Sequence, residues 1–79
     1  MQIEHITWED AECESSEWAD PAKALEYAKS PLPIIESVGY VLHETPKAVT
    51  LIHSIDKTDG SVTHTIKIPK KMILKRKKL

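Results

Sequence analysis

Two histidines, His53 and His64, carry the sharpest chemical signal in the sequence. They flank the turn segment DKTDGS at residues 56–61. A hairpin symmetric about Thr58 and Asp59 places the two imidazoles opposite each other. Such a pair can bind a metal, contact an anionic ligand or respond to pH. Zinc would need further ligands, and the nearby aspartates have turn roles of their own, so we predict no metal site.

Other residues suit a phosphorylated ligand. Cations hold phosphate groups, and an aromatic ring offers a face on which a base stacks. With the histidine pair, the candidate ligand-binding residues are Trp8, Trp18, Tyr40, His53, His64, Lys67, Lys70, Lys71 and Arg76.

Catalytic chemistry has no comparable set of residues. Cys13 is the only cysteine, and Glu12 and Glu14 beside it disfavour the thiolate. The chain has only two glycines, Gly39 and Gly60, so it lacks both a nucleophile elbow and a phosphate-cradling loop. We therefore expect a protein that is not an enzyme and holds no cofactor.

The charges are strongly polarised along the 79 residues, although the net charge is only −1. Residues 1–22 contain seven acids and no lysine or arginine, whereas residues 67–79 contain seven bases and no acid. A basic end can attract polyanions, or it can neutralise the acidic beginning. No run is apolar enough to span a bilayer or to act as a signal peptide, so we expect a cytoplasmic protein without membrane contact.

Period-two patterning predicts a three-stranded antiparallel core at 34–68. The inward faces that the alternation indicates are Val38, Tyr40 and Leu42 on the first strand, Val49, Leu51, His53 and Ile55 on the second, and Val62, His64, Ile66 and Ile68 on the third. The hairpin register then pairs Ile55 with Val62, His53 with His64, Leu51 with Ile66, and Val49 with Ile68. A slip of one residue would place one apolar set on the wrong side.

The remaining segments are predicted to close or decorate that sheet. We expect a first strand at 2–8, an acidic loop at 9–20, a short helix at 21–29 and a basic last strand at 72–79. Asp20 before Pro21 is a helix start, and Leu25 and Ala28 are the helical residues expected to face the core. Gly39 within a strand indicates a bend, a bulge or a close backbone approach.

Together these elements predict one mainly β domain, a small five-stranded SH3-like or Sm-like barrel with one short α-helix. A domain of this size has a marginal core, and with no disulfide available we expect a homo-oligomer.

Several segments resemble small accessory proteins encoded by bacteriophages and prophages: ITWEDA at 6–11 with Trp18 after it, SVGYVLHET at 37–45, and IPKKMI at 68–73. The segment IPKKMI also resembles the turn before the last strand of SH3 domains. The phage resemblance implies an accessory role in the cytoplasm of a bacterial host. It also implies a specific role, that of an oligomeric sponge sequestering the nucleotide signals of bacterial immunity.

Our preferred hypothesis is therefore a non-enzymatic phage protein that captures a small phosphorylated ligand or cyclic nucleotide at a subunit interface. Two alternatives remain open at this point. The chain can be an Sm-like nucleic-acid-binding protein, or an adaptor or inhibitor that binds a host protein.

Overall fold

The computed structural model describes residues 1–13 and 17–79 and is mainly β with one short α-helix, as predicted. Residues 14–16 of the predicted acidic loop lie outside the described part. The elements in chain order are β1 (Ile3–Glu9), α1 (Pro21–Lys29), β2 (Ile34–Glu44), β3 (Ala48–Ile52), β4 (Ser54–Ile55), β5 (Val62–Thr63), β6 (Ile66–Pro69), a 3-10 turn (Lys70–Met72) and β7 (Ile73–Lys78).

Five of the strands form one antiparallel sheet in the order β6-β3-β2-β1-β7. The predicted barrel is not closed, because β6 and β7 are the two edges of this sheet and are not hydrogen-bonded to each other. One physical reason is that β6 has only four residues and ends at Pro69, which has no N–H to donate. Bulges between Thr7 and Trp8 and between Val41 and His43 add local twist to the sheet.

The core lies on one face of the sheet. Ile6, Trp8, Val49, Leu51 and Ile68 form its buried cluster, and three half-buried side chains pack against it: Ile35, Val41 and Ile73. Along β1 every second residue is buried, which is the burial pattern expected of a strand with one covered face.

The predicted inward face of β2 is wrong. Val38 is 57% exposed and Leu42 is 42% exposed, whereas Ile35 and Val41 pack against the core. Apolar residues occur at both odd and even positions of β2, so the alternation alone could not show which side of the strand faces the core. The pairing with β1 decides it, because Ile35 lies opposite buried Trp8.

Gly39 lies on the core face, opposite Glu4. A Cβ atom at this position would come within 2.7 Å of the carbonyl oxygen of Ile52 and 3.3 Å of the Leu51 Cβ. The predicted close backbone approach is therefore present, and only a glycine fits the backbone as it stands.

The hairpin register is confirmed on both sides of an interruption. Val49 pairs with Ile68 and Leu51 with Ile66 in the main sheet, and Ile55 pairs with Val62 in the separate β4-β5 ribbon. This apolar face is buried at Val49, Leu51 and Ile68, but it is exposed at Val62 in the ribbon and already at Ile66, where β6 begins. The ribbon projects beyond the core, which leaves its side of the predicted face open to solvent.

Residues 10–33, called the arm here, are inserted between two strands that pair directly. Glu9 lies opposite Ile34, and the Asp10 N–H donates to the Pro33 carbonyl oxygen at 3.1 Å. The helix lies where Asp20-Pro21 predicts it, and the Asp20 carboxylate accepts from the Ala22 N–H at 2.8 Å.

The prediction that Leu25 and Ala28 face the core is wrong, because α1 has no buried residue. Both ends of the arm are fixed at the rim of the sheet, so the helix projects away from it. The molecule is consequently elongated, with extents of 53 × 25 × 20 Å.

Candidate functional site

The two histidines meet where the hairpin bends. His53 and His64 interrupt the two long strands, and their ring centroids lie 5.4 Å apart at an interplanar angle of 75°. The His64 backbone has φ 52°, the one positive φ among the described residues other than glycine. The His53 Nδ1 atom lies 2.7 Å from the Ser54 hydroxyl, which leaves its other ring nitrogen, Nε2, for a further contact.

The turn beyond the ribbon holds this bend in place. The Asp56 carboxylate accepts from the Thr58 N–H at 2.8 Å, and the Asp59 carboxylate accepts from the N–H and the hydroxyl of Ser61 at 2.9 and 2.7 Å. These bonds to Ser61 lower the pKa of Asp59, the backbone N–H contributing most. Gly60 adopts φ 82°, as the turn prediction requires. Both aspartates are thus committed to the turn.

An open cleft of about 450 Å³ lies beside the bend. We call it the kink pocket, and its lining residues are Met1, Tyr40, His53, Ser54, Ile55 and Lys57. Its size falls within the range of small-molecule sites. The described residues of this lining include an aromatic ring, an imidazole, a hydroxyl and an ammonium group, and none of them is acidic.

A second cleft, of about 320 Å³, holds two of the other candidates. Lys70 and Lys71 line it with Lys47 and two prolines, Pro46 and Pro69. The Lys70 ammonium lies 2.6 Å from a Glu44 carboxylate oxygen, so much of its charge is already neutralised. This cleft is therefore less suited to an anion than the number of its lysines suggests.

Arg76 belongs to an ion-pair network on the core face of the sheet. Its Nε and Nη2 atoms donate to the two carboxylate oxygens of buried Glu4 at 2.8 and 3.0 Å, and Nη2 also lies 3.0 Å from Glu44. Hydrogen bonds from Arg76 and then from Lys70 lower the pKa of Glu44 from 4.5 to about 2. Bonds with Glu4 and then Glu44 raise the pKa of Arg76. Arg76 thus holds the sheet together and is not placed to receive a phosphate.

The two tryptophans have opposite environments. Trp8 is 6% exposed in the core, and its indole N–H donates to the Ser37 hydroxyl at 3.1 Å. A ring so enclosed offers no face to a base. Trp18 is fully exposed on the arm. It borders a cleft of about 490 Å³ within the arm, between residues 17–20 and the helix α1.

The structure thus separates the candidate residues. Tyr40 and His53 share the kink pocket with His64 beside it, and Lys70 and Lys71 share the second cleft. Lys67 is exposed on the edge strand β6, opposite Thr50. Cys13 is exposed, and the described residues contain no group of three or more His, Cys, Asp or Glu side chains arranged to hold a metal.

Sequence reasoning missed Lys57 and Ser54 in the pocket and Glu4 and Glu44 in the network. Ser54 directly follows His53, and Lys57 lies in the turn, where its role looked purely structural. Glu4 could have been found, because it shares its parity in β1 with Ile6 and Trp8. One acid on an otherwise apolar side of a strand signals a buried partner of opposite charge.

No family model matches the chain, and neither the curated proteins nor the solved structures contain a significant match. Residues 1–13 and 17–79 contain no helix with the length and apolar character of a membrane span.

Proposed function

We propose that this protein is a non-catalytic binding protein that takes up a small phosphorylated ligand in the kink pocket. The observation that supports this proposal is the convergence of Tyr40, His53 and Lys57 on one cleft whose described lining has no acidic residue. An aromatic face beside two donors matches the chemistry of a nucleotide better than that of a peptide or a metal.

Each group has a separate task in this proposal. The Lys57 ammonium attracts the phosphate, and the free Nε2 position of His53 forms a hydrogen bond to a phosphate or ribose oxygen. The Tyr40 ring supplies the stacking surface for the base. The His64 ring, 5.4 Å from His53, limits the orientations open to the His53 ring.

A finer proposal concerns fold and origin. The sheet order β6-β3-β2-β1-β7, with a 3-10 turn between β6 and β7, supports an open variant of the SH3-like or Sm-like barrel. The segment IPKKMI spans that turn. The phage resemblance supports an accessory role in the cytoplasm of a bacterial host, as an oligomeric sponge for a cyclic nucleotide signal.

Isothermal titration calorimetry tests the pocket directly. The purified chain is titrated with cyclic dinucleotides, cyclic trinucleotides, AMP and inorganic phosphate. We expect binding of at least one nucleotide at tens of micromolar or tighter, roughly −6 kcal/mol or more favourable. Lys57→Ala should weaken it by about tenfold, because a charge-assisted contact to phosphate is lost.

Lys71→Ala is the matched control, since Lys71 is exposed and lies outside the kink pocket. Absence of heat with the whole panel would contradict the proposal. So would a Lys71→Ala variant that weakens binding as much as Lys57→Ala does.

Nucleic-acid binding is the second candidate, supported by a different observation. Within residues 67–79, five exposed lysines make no ion pair with any described carboxylate: Lys67, Lys71, Lys75, Lys77 and Lys78. Such cations release counterions when they contact a polyanion. Fluorescence anisotropy with single-stranded RNA should then show an affinity that falls steeply as salt rises. An affinity independent of salt, or no binding, would exclude this alternative.

A further inference from the structure

The arm is unusually long for a connection between paired strands. Loops between hairpin strands have two to five residues in most proteins, and connections beyond about 15 residues are uncommon and usually either carry a function or are linkers. Residues 10–33 span 24 positions between Glu9 and Ile34, which are themselves paired. The sheet needs only a tight turn at this place, so the arm must have another role.

The helix of the arm is not stabilised by its own sheet. It has nine residues, none of them buried. Isolated helices shorter than about 12 to 15 residues are marginal in water, and most helical stability comes from packing an apolar face. The arm also exposes Trp18, Leu25 and Leu32. These features indicate that a surface outside this copy covers the arm.

The charge of the arm identifies the chemistry of that surface. Residues 9–20 contain six acids and no base. In the described part of the chain, Glu9, Asp10, Glu12 and Asp20 make no ion pair with a cation. The covering surface must therefore combine apolar side chains with positive charge.

The outer face of the sheet has that combination. Antiparallel partners point to the same side of a sheet, so Val38, His5 and Lys77 form one row across β2, β1 and β7. The next row contains Glu36, Thr7 and Lys75, and the Glu36 carboxylate lies 3.2 Å from the His5 ring, so the two lysines carry the uncompensated charge of this face. We call Val38, His5, Lys75 and Lys77 the outer strip. Val38 is 57% exposed, and neither lysine is ion-paired with a described carboxylate.

We propose that the arm of one copy docks on the outer strip of a second copy, and that the exchange is reciprocal. Trp18 and Leu25 cover Val38, while the described acids of the arm face Lys75 and Lys77. A second copy is the partner that the charges select, because the same chain carries both acids of the arm (Glu9, Asp10, Glu12 and Asp20) and lysines of the strip (Lys75 and Lys77) that make no described ion pair. The reciprocal arrangement gives a closed dimer with two equivalent contacts.

Sedimentation velocity of the full chain tests this dimer. In low salt at concentrations up to a few hundred micromolar we expect a dimer that dissociates in about 0.5 M salt, where the Debye length falls to roughly 4 Å. The double variant K75E/K77E should weaken dimerisation by at least about tenfold, since it places like charges together.

The matched control is K67E/K71E, which makes the same change in net charge away from the outer strip. It should dimerise as the parent does. A charge swap completes the test: E12K/E17K should also be monomeric, and its mixture with K75E/K77E should restore a heterodimer, because both reciprocal contacts then join opposite charges.

A parent that stays monomeric at low salt overturns the proposal, as does K67E/K71E dissociating to the same extent as K75E/K77E. A dimer that survives both charge variants overturns it too, because another surface then holds the copies together. None of these variants changes a residue of the kink pocket. Calorimetry on the same variants therefore separates a failure of the dimer proposal from a failure of the ligand proposal.

Discussion

At the scale of single residues, Gly39 shows how backbone proximity restricts the choice of side chain. We predict that Gly39→Ala destabilises the protein by about 1 to 3 kcal/mol, because its Cβ would lie 2.7 Å from the Ile52 carbonyl oxygen and the two strands must separate. Urea denaturation followed by far-UV circular dichroism measures this loss as a lower midpoint.

Gly60→Ala is the comparison for this prediction. Gly60 has φ 82°, and the Cβ of an alanine there would have no neighbour within 4 Å, so this substitution introduces backbone strain without a steric clash. It should cost about 1 kcal/mol. A Gly39→Ala midpoint equal to that of the parent would show that the strands can move apart freely.

Glu44 links the ion-pair network to pH. Its folded pKa of about 2 lies below the ordinary value of 4.5, so its hydrogen bonds to Arg76 and Lys70 add stability above that ordinary value. This stability is lost as the pH falls from 4.5 toward 2, because over that range the unfolded chain takes up a proton on this carboxyl and the folded chain does not. We predict that Glu44→Gln lowers the urea midpoint at neutral pH and that the difference from the parent disappears near pH 2.

Glu26→Gln serves as the control for that pH series. Glu26 is exposed on α1 and has no ion pair within the described residues, so its loss should leave the parental midpoints unchanged throughout. If Glu44→Gln and the parent lost stability in parallel from about pH 5 to pH 2, the pKa of Glu44 would not be linked to folding.

At the scale of elements, local chemistry made some features predictable. The start of α1 follows from Asp20-Pro21, and the hairpin register follows from the DKTDGS turn, because both signals lie within a few residues of the feature that they determine. The face of β2 could not be predicted, since Ile35, Val38 and Val41 are all apolar and the choice between parities depends on a strand about 30 residues away.

The kink pocket was only half predictable for the same reason. The turn places His53 near His64, so sequence symmetry brings them together. Lys57 and Tyr40 come from different elements, and the bend of the ribbon relative to the main sheet brings them to one cleft. That bend depends on the positive φ of His64, which its residue type does not specify.

The helix supplies a prediction at this scale. Asp20→Ala removes the acceptor for the Ala22 N–H and should cost the helix about 1 kcal/mol, enough to melt much of a nine-residue helix. We expect a smaller ellipticity at 222 nm in dilute, monomeric samples. The urea midpoint reported by Trp8 in a Trp18→Phe background should not change, because α1 buries no residue.

Ser30→Ala is the control at the other end of α1. The Ser30 hydroxyl donates to the Tyr27 carbonyl oxygen at 2.6 Å, and water can replace it at this exposed site. The ellipticity should therefore change less than in Asp20→Ala. A drop in the Trp8 midpoint with Asp20→Ala would mean that the helix and the sheet unfold as one unit.

At the scale of the whole molecule, the sheet and the arm are physically distinct. The radius of gyration is 16.5 Å, against about 12 Å for a compact chain of this length. The arm contributes to this excess, because it leaves and rejoins the sheet at one pair of residues, Glu9 and Ile34. The core cluster, which includes Ile6, Leu51 and Ile68, contains no residue of the arm.

We therefore predict that the arm can be removed without loss of the fold. Replacing residues 10–33 with Asn-Gly joins Glu9 to Ile34 through a two-residue turn that suits paired strands. Because a loop of 24 residues becomes one of two, the variant should be more stable by up to about 2 kcal/mol. Its radius of gyration should fall to about 10 Å in small-angle X-ray scattering.

The same replacement with Ala-Ala is the control, because alanine does not readily adopt the positive φ of that turn. It should fold with a lower urea midpoint than the Asn-Gly variant. Both variants should also be monomeric at all concentrations if the arm is the dimer contact. If both variants were unfolded, the arm would have to stabilise the sheet. A sheet that folds independently of the arm needs only the pairing of Glu9 with Ile34 at this end and should tolerate the loss of residues 10–33.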